Sequence, residues 1–277
     1  MNENGAGRIQ QIKIYLGKCF RTFKNEKGWK SLISTLIISI ILSWIIGDNV
    51  FVLFESTKQG VFALICGCIW TGLFNSIQSI CRERAIIKRE HRTGLHISSY
   101  IAAHLIFEFI QCFAQAVIMD IVFSVFVKFP EKGVILGWSW VEFLISFTLT
   151  IFAADALGLM VSCIVKNENT AMTVMPFVLI IQLVLSGAMF AIPDGASFIR
   201  HFTVSKWGVS AICSSAEINE LPTMEVATLL DDEIDNDVEY AGTVEHIMTC
   251  WGVLVGYSLL YSATGCIFLK QVDKDKR

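Results

Sequence analysis

Residues able to do chemistry are few in this chain, and each arrangement that could carry a reaction is incomplete. The five histidines are His91, His96, His104, His201 and His246, and no two stand at the i, i+4 spacing of a helical zinc motif. No metal site is expected. Ser186 in "LVLSGAMF" has the setting of an intramembrane nucleophile, but such a serine needs a histidine base on a facing helix. His104 is the sole helix-embedded candidate, and close helix packing at Ser186 and Gly187 accounts for the pair without chemistry. The pair Gly17 and Lys18 is followed by Cys19 and lacks the earlier glycine of a phosphate-cradling loop, so ATP is not bound by that route. What remains is a set of polar residues inside apolar runs: Asn75, Gln78, His104, Glu108, Gln111, Gln115, Asp120, Asp155 and Gln182. In a bilayer such residues either line a water-accessible pathway or bond between helices. The amides read as interhelical bonds. Glu108, Asp120 and Asp155 read as a pathway or as a buried pairing with His104 or a lysine, since a carboxylate in hydrocarbon needs a partner or its proton.

The elements that position them follow from hydropathy. Of 277 residues 54% are hydrophobic, and the mean hydropathy is +0.58, above ordinary globular usage. Six apolar runs, 31–47, 60–81, 98–127, 138–165, 171–191 and 246–269, approach or exceed the roughly 20 residues that cross a bilayer core. In lipid each must be a helix, because unpaired backbone groups cost several kcal/mol apiece. The ten-residue alternation of a membrane barrel is absent from the sequence pattern. Lysine and arginine then orient the chain: seventeen fall on one side of the six runs and five on the other, which places both termini in the cytoplasm at the plasma membrane. The opposite side carries the acidic stretch "DDEIDNDVEY". The first 30 residues are basic and periodic rather than a secretory signal, and the first run is expected to serve for insertion. Nine cysteines sit mostly in or beside helices, so free thiols are expected, Cys213 and Cys250 included.

Residues 8–27 place Ile9, Ile12, Leu16, Cys19, Phe20 and Phe23 on one stripe with cations opposite, the pattern of a surface-lying amphipathic helix that meets lipid, a partner protein or both. Residues 192–213 suit short helices dipping into the outer leaflet, and 217–245 form an acidic cap or loop. Between two apolar runs lies the charged segment "CRERAIIKREHRTGLHISSY". Its charges exclude it from lipid. Glu83, Ile86, Ile87 and Glu90 share one helical face, flanked by Arg84 and Arg89, and a face of that kind suits docking into a protein groove.

The segment from Phe74 to Phe109, "FNSIQSICRERAIIKREHRTGLHISSYIAAHLIFEF", resembles the second helix, cytoplasmic loop and third helix of type-2 ABC exporter permeases, the class shared with the G subfamily of ABC transporters. Asn75, Glu83, the pair Arg89 and Glu90, Gly94 with Leu95, and Tyr100 fall where that family places its Asn, Glu, Arg-Glu, Gly-Leu and Tyr. A second similar segment carries Gly158, Leu159, Ser162, Asn169, Ala171, Pro176, Ser186 and Gly187, and a third runs from Phe198 to Ala216 and Glu217. The three cover most of residues 70–220. Ser79 stands where family members often carry an acid, and Ile110 lies near where they carry a proline.

The expected architecture is an all-α membrane protein: a cytoplasmic amphipathic connecting helix in 1–30, then a six-helix permease domain in 31–277. That domain contains a coupling helix at 82–96 and an extracellular loop with re-entrant helices at 192–245. The resemblance implies a transport subunit rather than an enzyme. It works as a homodimer or heterodimer with a second permease in membrane lipid, binds no nucleic acid, and exports substrate when a separate ABC ATPase subunit binds ATP and Mg and hydrolyses the nucleotide. Coupling residues are expected at Glu83, Arg84, Ile86, Ile87, Arg89 and Glu90. An amphipathic or lipid-like substrate is expected to pass between Leu64, Cys68, Thr71 and Asn75 of the second run and Thr173, Phe177 and Leu185 of the fifth. Two readings stand beside this one: an ATPase-linked membrane transmitter or sensor of the same fold, and an intramembrane enzyme.

Overall fold

The computed structural model describes residues 7–46, 50–130, 132–187, 194–223 and 238–270, and every regular element among them is helical. The α-helices are α1 (Arg8–Asn25), α2 (Trp29–Ile46), α3 (Phe54–Ser76), α4 (Ser79–Arg92), α5 (Ile97–Phe126), α6 (Ser139–Ile164), α7 (Glu168–Val184), α8 (Val204–Ser215) and α9 (Val244–Leu269). Five of the apolar runs appear as helices long enough to cross a membrane, in α2, α3, α5, α6 and α9. The fifth run in chain order gives α7, whose 17 residues rise about 26 Å, a little short of a hydrocarbon core. The second run is divided: α3 ends at Ser76, a turn covers Ile77 and Gln78, and Ile80 and Cys81 already belong to α4. Residues 224–237, about half of the acidic 217–245 segment, lie outside the described residues.

The core is apolar, with Leu64, Ile65, Phe123, Phe143 and Phe147 fully buried, but the outer helices also turn hydroxyls inward and large apolar side chains outward. In α2 the buried residues are Thr35, Ser39 and Ser43, whereas Ile33, Ile37, Ile40, Ile41, Trp44 and Ile45 face out. Likewise α9 buries Ser258 and Ser262 while Leu259, Leu260 and Ile267 are exposed. Inward hydroxyls bond to carbonyls of their own helix, Ser39 to Thr35 at 2.7 Å and Ser262 to Ser258 at 2.6 Å, which lets them face a neighbour closely, whereas Ser43 Oγ is buried without a partner. An outer surface this apolar is stable in hydrocarbon and aggregates in water. The chain is a multi-pass membrane protein.

The central element is α6, with α3, α5, α8 and α9 packed round it. Contact with α3 is set by glycines: a Cβ on Gly72 would lie 2.3 Å from the Ile151 carbonyl oxygen and 2.9 Å from the Asp155 nitrogen, and one on Gly158 would lie 2.5 Å from the Ser76 hydroxyl. Small residues let backbones approach in this way, which replaces the hydrophobic drive that lipid removes. The short helix α8 is buried along almost its whole length between α3, α6 and α9. Its N-terminus is held by Gln182 of α7, whose side-chain oxygen accepts from the Val204 amide at 2.7 Å. The reversal between α4 and α5 uses Gly94 at φ +108°, with the Gly94 amide on His91 O and the Leu95 amide on Glu90 O.

Candidate functional site

At one end of the bundle α1 lies against α5, and α4 lies beside both. The stripe of α1 that meets the protein is polar: Gln11, Tyr15 and Lys18, with Cys19 and Phe23. Gln11 clamps the α4–α5 reversal, donating to Gly94 O at 3.1 Å and accepting from the His96 amide at 3.0 Å. Tyr15 donates to Glu90 at 2.9 Å, and Lys18 Nζ stands 2.7 Å from Glu83, which also accepts from the Tyr100 hydroxyl at 2.9 Å. Burial alone would raise the Glu83 carboxyl, but the hydrogen bond and charge of Lys18, joined by Tyr100, outweigh it and hold the group below its ordinary value. Burial pushes the Cys19 thiol up to about 12, so it is unreactive. Phe20 and Phe23 pack edge-on against Phe107, whereas Ile9 and Ile14 remain exposed.

These bonds correct the expected docking face of α4. Glu83 and Glu90 are turned inward to α1 and α5, and Ile87 is fully buried. Of the expected face Glu83, Ile87 and Glu90 do lie together, but Ile86 points the other way and is 40% exposed, and Lys18, Tyr15 and Tyr100 claim the two carboxylates. The outward face is instead Arg82, Ala85, Ile86 and Arg89, with Arg92 at its end. Arg82 reaches Glu26 just past α1.

α4 is also joined to the central helix. The Ile80 and Cys81 amides, at the start of α4, both donate to Ser162 Oγ of α6 at 3.0 Å. Arg84 donates to the carbonyls of Cys163 and Val165, at 2.7 and 3.0 Å, where α6 ends with unsatisfied acceptors. One helix's orphan donors and another's orphan acceptors are thus met by each other's side chains. A tilt of α4 must therefore carry the end of α6 with it.

Beneath α1 lies a cavity of about 280 Å³ between α1, the ends of α3 and α4, and α5. Phe23, Phe74 and Phe107 line it together with His104, Glu108 and Gln111. Four of the five amides form interhelical bonds as expected: Asn75 and Gln115 exchange two, at 2.7 and 3.1 Å, Gln111 donates to Ser31 at 3.1 Å, and Gln182 holds α8, while Gln78 lines the cavity. The expected pairing of buried carboxylates with His104 or a lysine does not form. Both carboxylate oxygens of Asp120 and of Asp155 are buried without a hydrogen-bond partner, and so is His104 Nδ1. Glu108 accepts from Ser79 at 3.5 Å.

The residues expected along a pathway divide between interior and surface. Leu64, Cys68 and Thr71 are buried inside the chain, Cys68 with its sulfur 3.8 Å from that of Met119 on α5. Asn75 is half-buried, Thr173 and Phe177 of α7 are exposed, and Leu185 is intermediate. On α3 the side open to the surroundings is marked by Trp70 and Phe74, 44% and 49% exposed, which periodicity could not single out because every face of this helix is apolar.

At the opposite end Ser210 and His246 stand 2.9 Å apart, a pair missed in the sequence because 36 residues separate them. It is no nucleophile and base: Ser210 donates to the Glu239 carbonyl, and the space beside it is about 10 Å³. Ser186 donates to Leu183 O within its own turn at 2.7 Å. Cys213 and Cys250 are not joined by a disulfide.

Comparison with known proteins agrees with this architecture. Over 166 residues, 59% of this chain, it is 26% identical to an ABC transporter ATP-binding/permease protein of Mycobacterium tuberculosis, and the match spans 19% of that relative's length. The model of the ABC-2 type transporter family matches residues 10–216. An all-helical bundle with an apolar outer surface, built round these matched residues, belongs to a membrane transporter subunit, and the chain is a member of the ABC-2 type transporter family.

Proposed function

We propose that the chain is the permease subunit of an ABC exporter, driven by an ABC ATPase that binds ATP and Mg. The observation that carries this reading is α4: it is a charged helix that follows α3 after a turn, presents Arg82, Ile86, Arg89 and Arg92 outward, and is tied to α6 through Ser162 and Arg84. A helix so placed can pass a push from a partner into the centre of the bundle. Closure of an ATPase pair on ATP would change the contacts available to that face, and permease states that differ in those contacts would shift in population. The relative in Mycobacterium tuberculosis, named for both ATP-binding and permease parts, supports the pairing. The cation bias puts α1, α4 and both termini in the cytoplasm of a plasma-membrane protein, with α8 entering from the outer side.

Two permeases, identical or paralogous, would enclose the pathway. The exposed Thr173 and Phe177 of α7, with Trp70 and Phe74 of α3, provide apolar surface for that meeting, and an amphipathic or lipid-like substrate fits its character. Leu64, Cys68 and Thr71 would join the pathway only if the protomer opens, whereas Asn75 and Leu185 stand at the margin. A transmitter without export would use the same α4 device and differ by lacking a substrate.

Co-expression with the host's ABC ATPases, followed by capture on the tagged chain and ATPase assay in nanodiscs, tests this reading. The expected result is a bound ATPase whose turnover falls at least ten-fold in coupling when Arg89→Glu and Ile86→Glu are introduced together, with the chain still inserted. Failure of every ATPase to bind the unmodified chain, or full coupling in the double variant, would overturn it.

A further inference from the structure

The cavity beneath α1 has a charge inventory that does not close. Two of the three carboxylates on its wall have cations, Glu83 with Lys18 and Glu26 with Arg82. Glu108, 3% exposed, has none: no salt bridge among the described residues reaches it, no hydrogen bond joins it to His104 one turn away, and its one donor is Ser79 at 3.5 Å. His104 also presents Nδ1, buried and without a partner, at the same wall. A buried carboxylate that has room beside it and no counter-charge keeps its proton until a cation takes the place beside it.

Three aromatic rings set the chemistry of that cation. Phe23 and Phe107 pack edge-on at 5.6 Å on one side, and Phe74, half exposed, lies at the mouth. Aromatic faces around an anionic group recognise organic ammonium ions, because each ring's negative face adds to the Coulomb attraction. A bare metal ion is poorly served, since among the described residues no group of three or more His, Cys, Asp or Glu side chains is assembled. An anion would find both cations on the wall, Lys18 and Arg82, already paired. At about 280 Å³ the space lies at the small end of the roughly 300–1,000 Å³ usual for ligand pockets.

We propose that this cavity binds a small aromatic or amphipathic organic cation, its ammonium group against Glu108 and its apolar part against Phe23, Phe74 and Phe107. The site is complete within one chain, so it is separate from a pathway enclosed by two permeases and does not depend on coupling to an ATPase. Equilibrium binding to the full chain in nanodiscs, without ATPase, tests it with two probes of equal shape: benzyltrimethylammonium and its uncharged carbon counterpart neopentylbenzene. The expected result is at least a ten-fold preference for the cation in the unmodified chain, a preference below two-fold in Glu108→Gln, and a three- to ten-fold weaker cation affinity in Phe74→Ala. Phe74 is half exposed, so that variant should fold even if Glu108→Gln does not. Equal binding of the two probes, no binding of either, an undiminished preference in Glu108→Gln, or an unchanged affinity in Phe74→Ala would each overturn the proposal.

Discussion

Replacing Glu83 by lysine separates a residue that braces the permease from one that docks a partner. Glu83 accepts from Lys18 at 2.7 Å and from Tyr100 at 2.9 Å, with the two side chains of the ion pair 31% (Lys18) and 20% (Glu83) exposed. A hydrogen bond to a charged group is worth about 1.5–3 kcal/mol, and partial exposure of Lys18 places this one toward the lower end. Glu83→Lys also sets two ammonium groups side by side, a cost limited because Lys18 can swing into solvent. The sum is about 2 kcal/mol, or roughly 30-fold in the equilibrium for α1 lifting from α4 and α5. Limited trypsin cleavage after Arg21 and Lys24 reads that opening, and thermal unfolding in nanodiscs reads stability. Arg89→Glu, on the outward face, should change neither beyond about 0.5 kcal/mol while weakening coupling to an ATPase. The paired exchange Lys18→Glu with Glu83→Lys should recover at least half of the loss. If Glu83→Lys keeps α1 as protected as in the unmodified chain yet loses ATPase coupling, Glu83 faces the partner and the bracing argument is wrong.

The same carboxylate makes stability depend on acid. Its pKa is depressed in the folded chain, so its contribution is fully present above its ordinary value of 4.5 and is lost as pH falls through the folded value; below pH 4.5 the unmodified chain should lose thermal stability more steeply than Glu83→Gln, and parallel slopes would remove Glu83 from the acid response. Gly72→Ala forces a Cβ to within 2.3 Å of the Ile151 carbonyl oxygen and should cost about 1–3 kcal/mol, whereas Gly256→Ala on α9, with open space around it, should be neutral or mildly stabilising; equal midpoints in thermal unfolding would refute the close α3–α6 approach.

Hydropathy by itself determined that the chain is helical and in a membrane. That inference needs one dimension only, because a long apolar run has no way to satisfy its backbone in lipid except as a helix. The runs at 31–47, 98–127, 138–165 and 246–269 reappear within two residues at each end as α2, α5, α6 and α9. The charged segment expected as a short helix at 82–96 is helical from Ser79 to Arg92, three residues earlier at its start and four at its end. The interhelical role of Asn75, Gln111, Gln115 and Gln182 was legible too, as buried amides must find partners.

Only the tertiary structure decided which way each helix faces. In α3 apolar residues occupy every side, so nothing in the pattern distinguishes the buried Leu64, Cys68 and Thr71 from the open Trp70 and Phe74. In α4 the period placed Glu83, Ile86, Ile87 and Glu90 on one face, of which Ile86 turns outward, and whether the rest meets a partner or the chain itself depends on Lys18 and Tyr15, 65 and 75 residues away in sequence. The same holds for Ser162 and Arg84, which join α4 to α6 across about 80 positions. Periodicity is local and reports a helix's own geometry, whereas the identity of the neighbour arises from packing between segments remote in the chain.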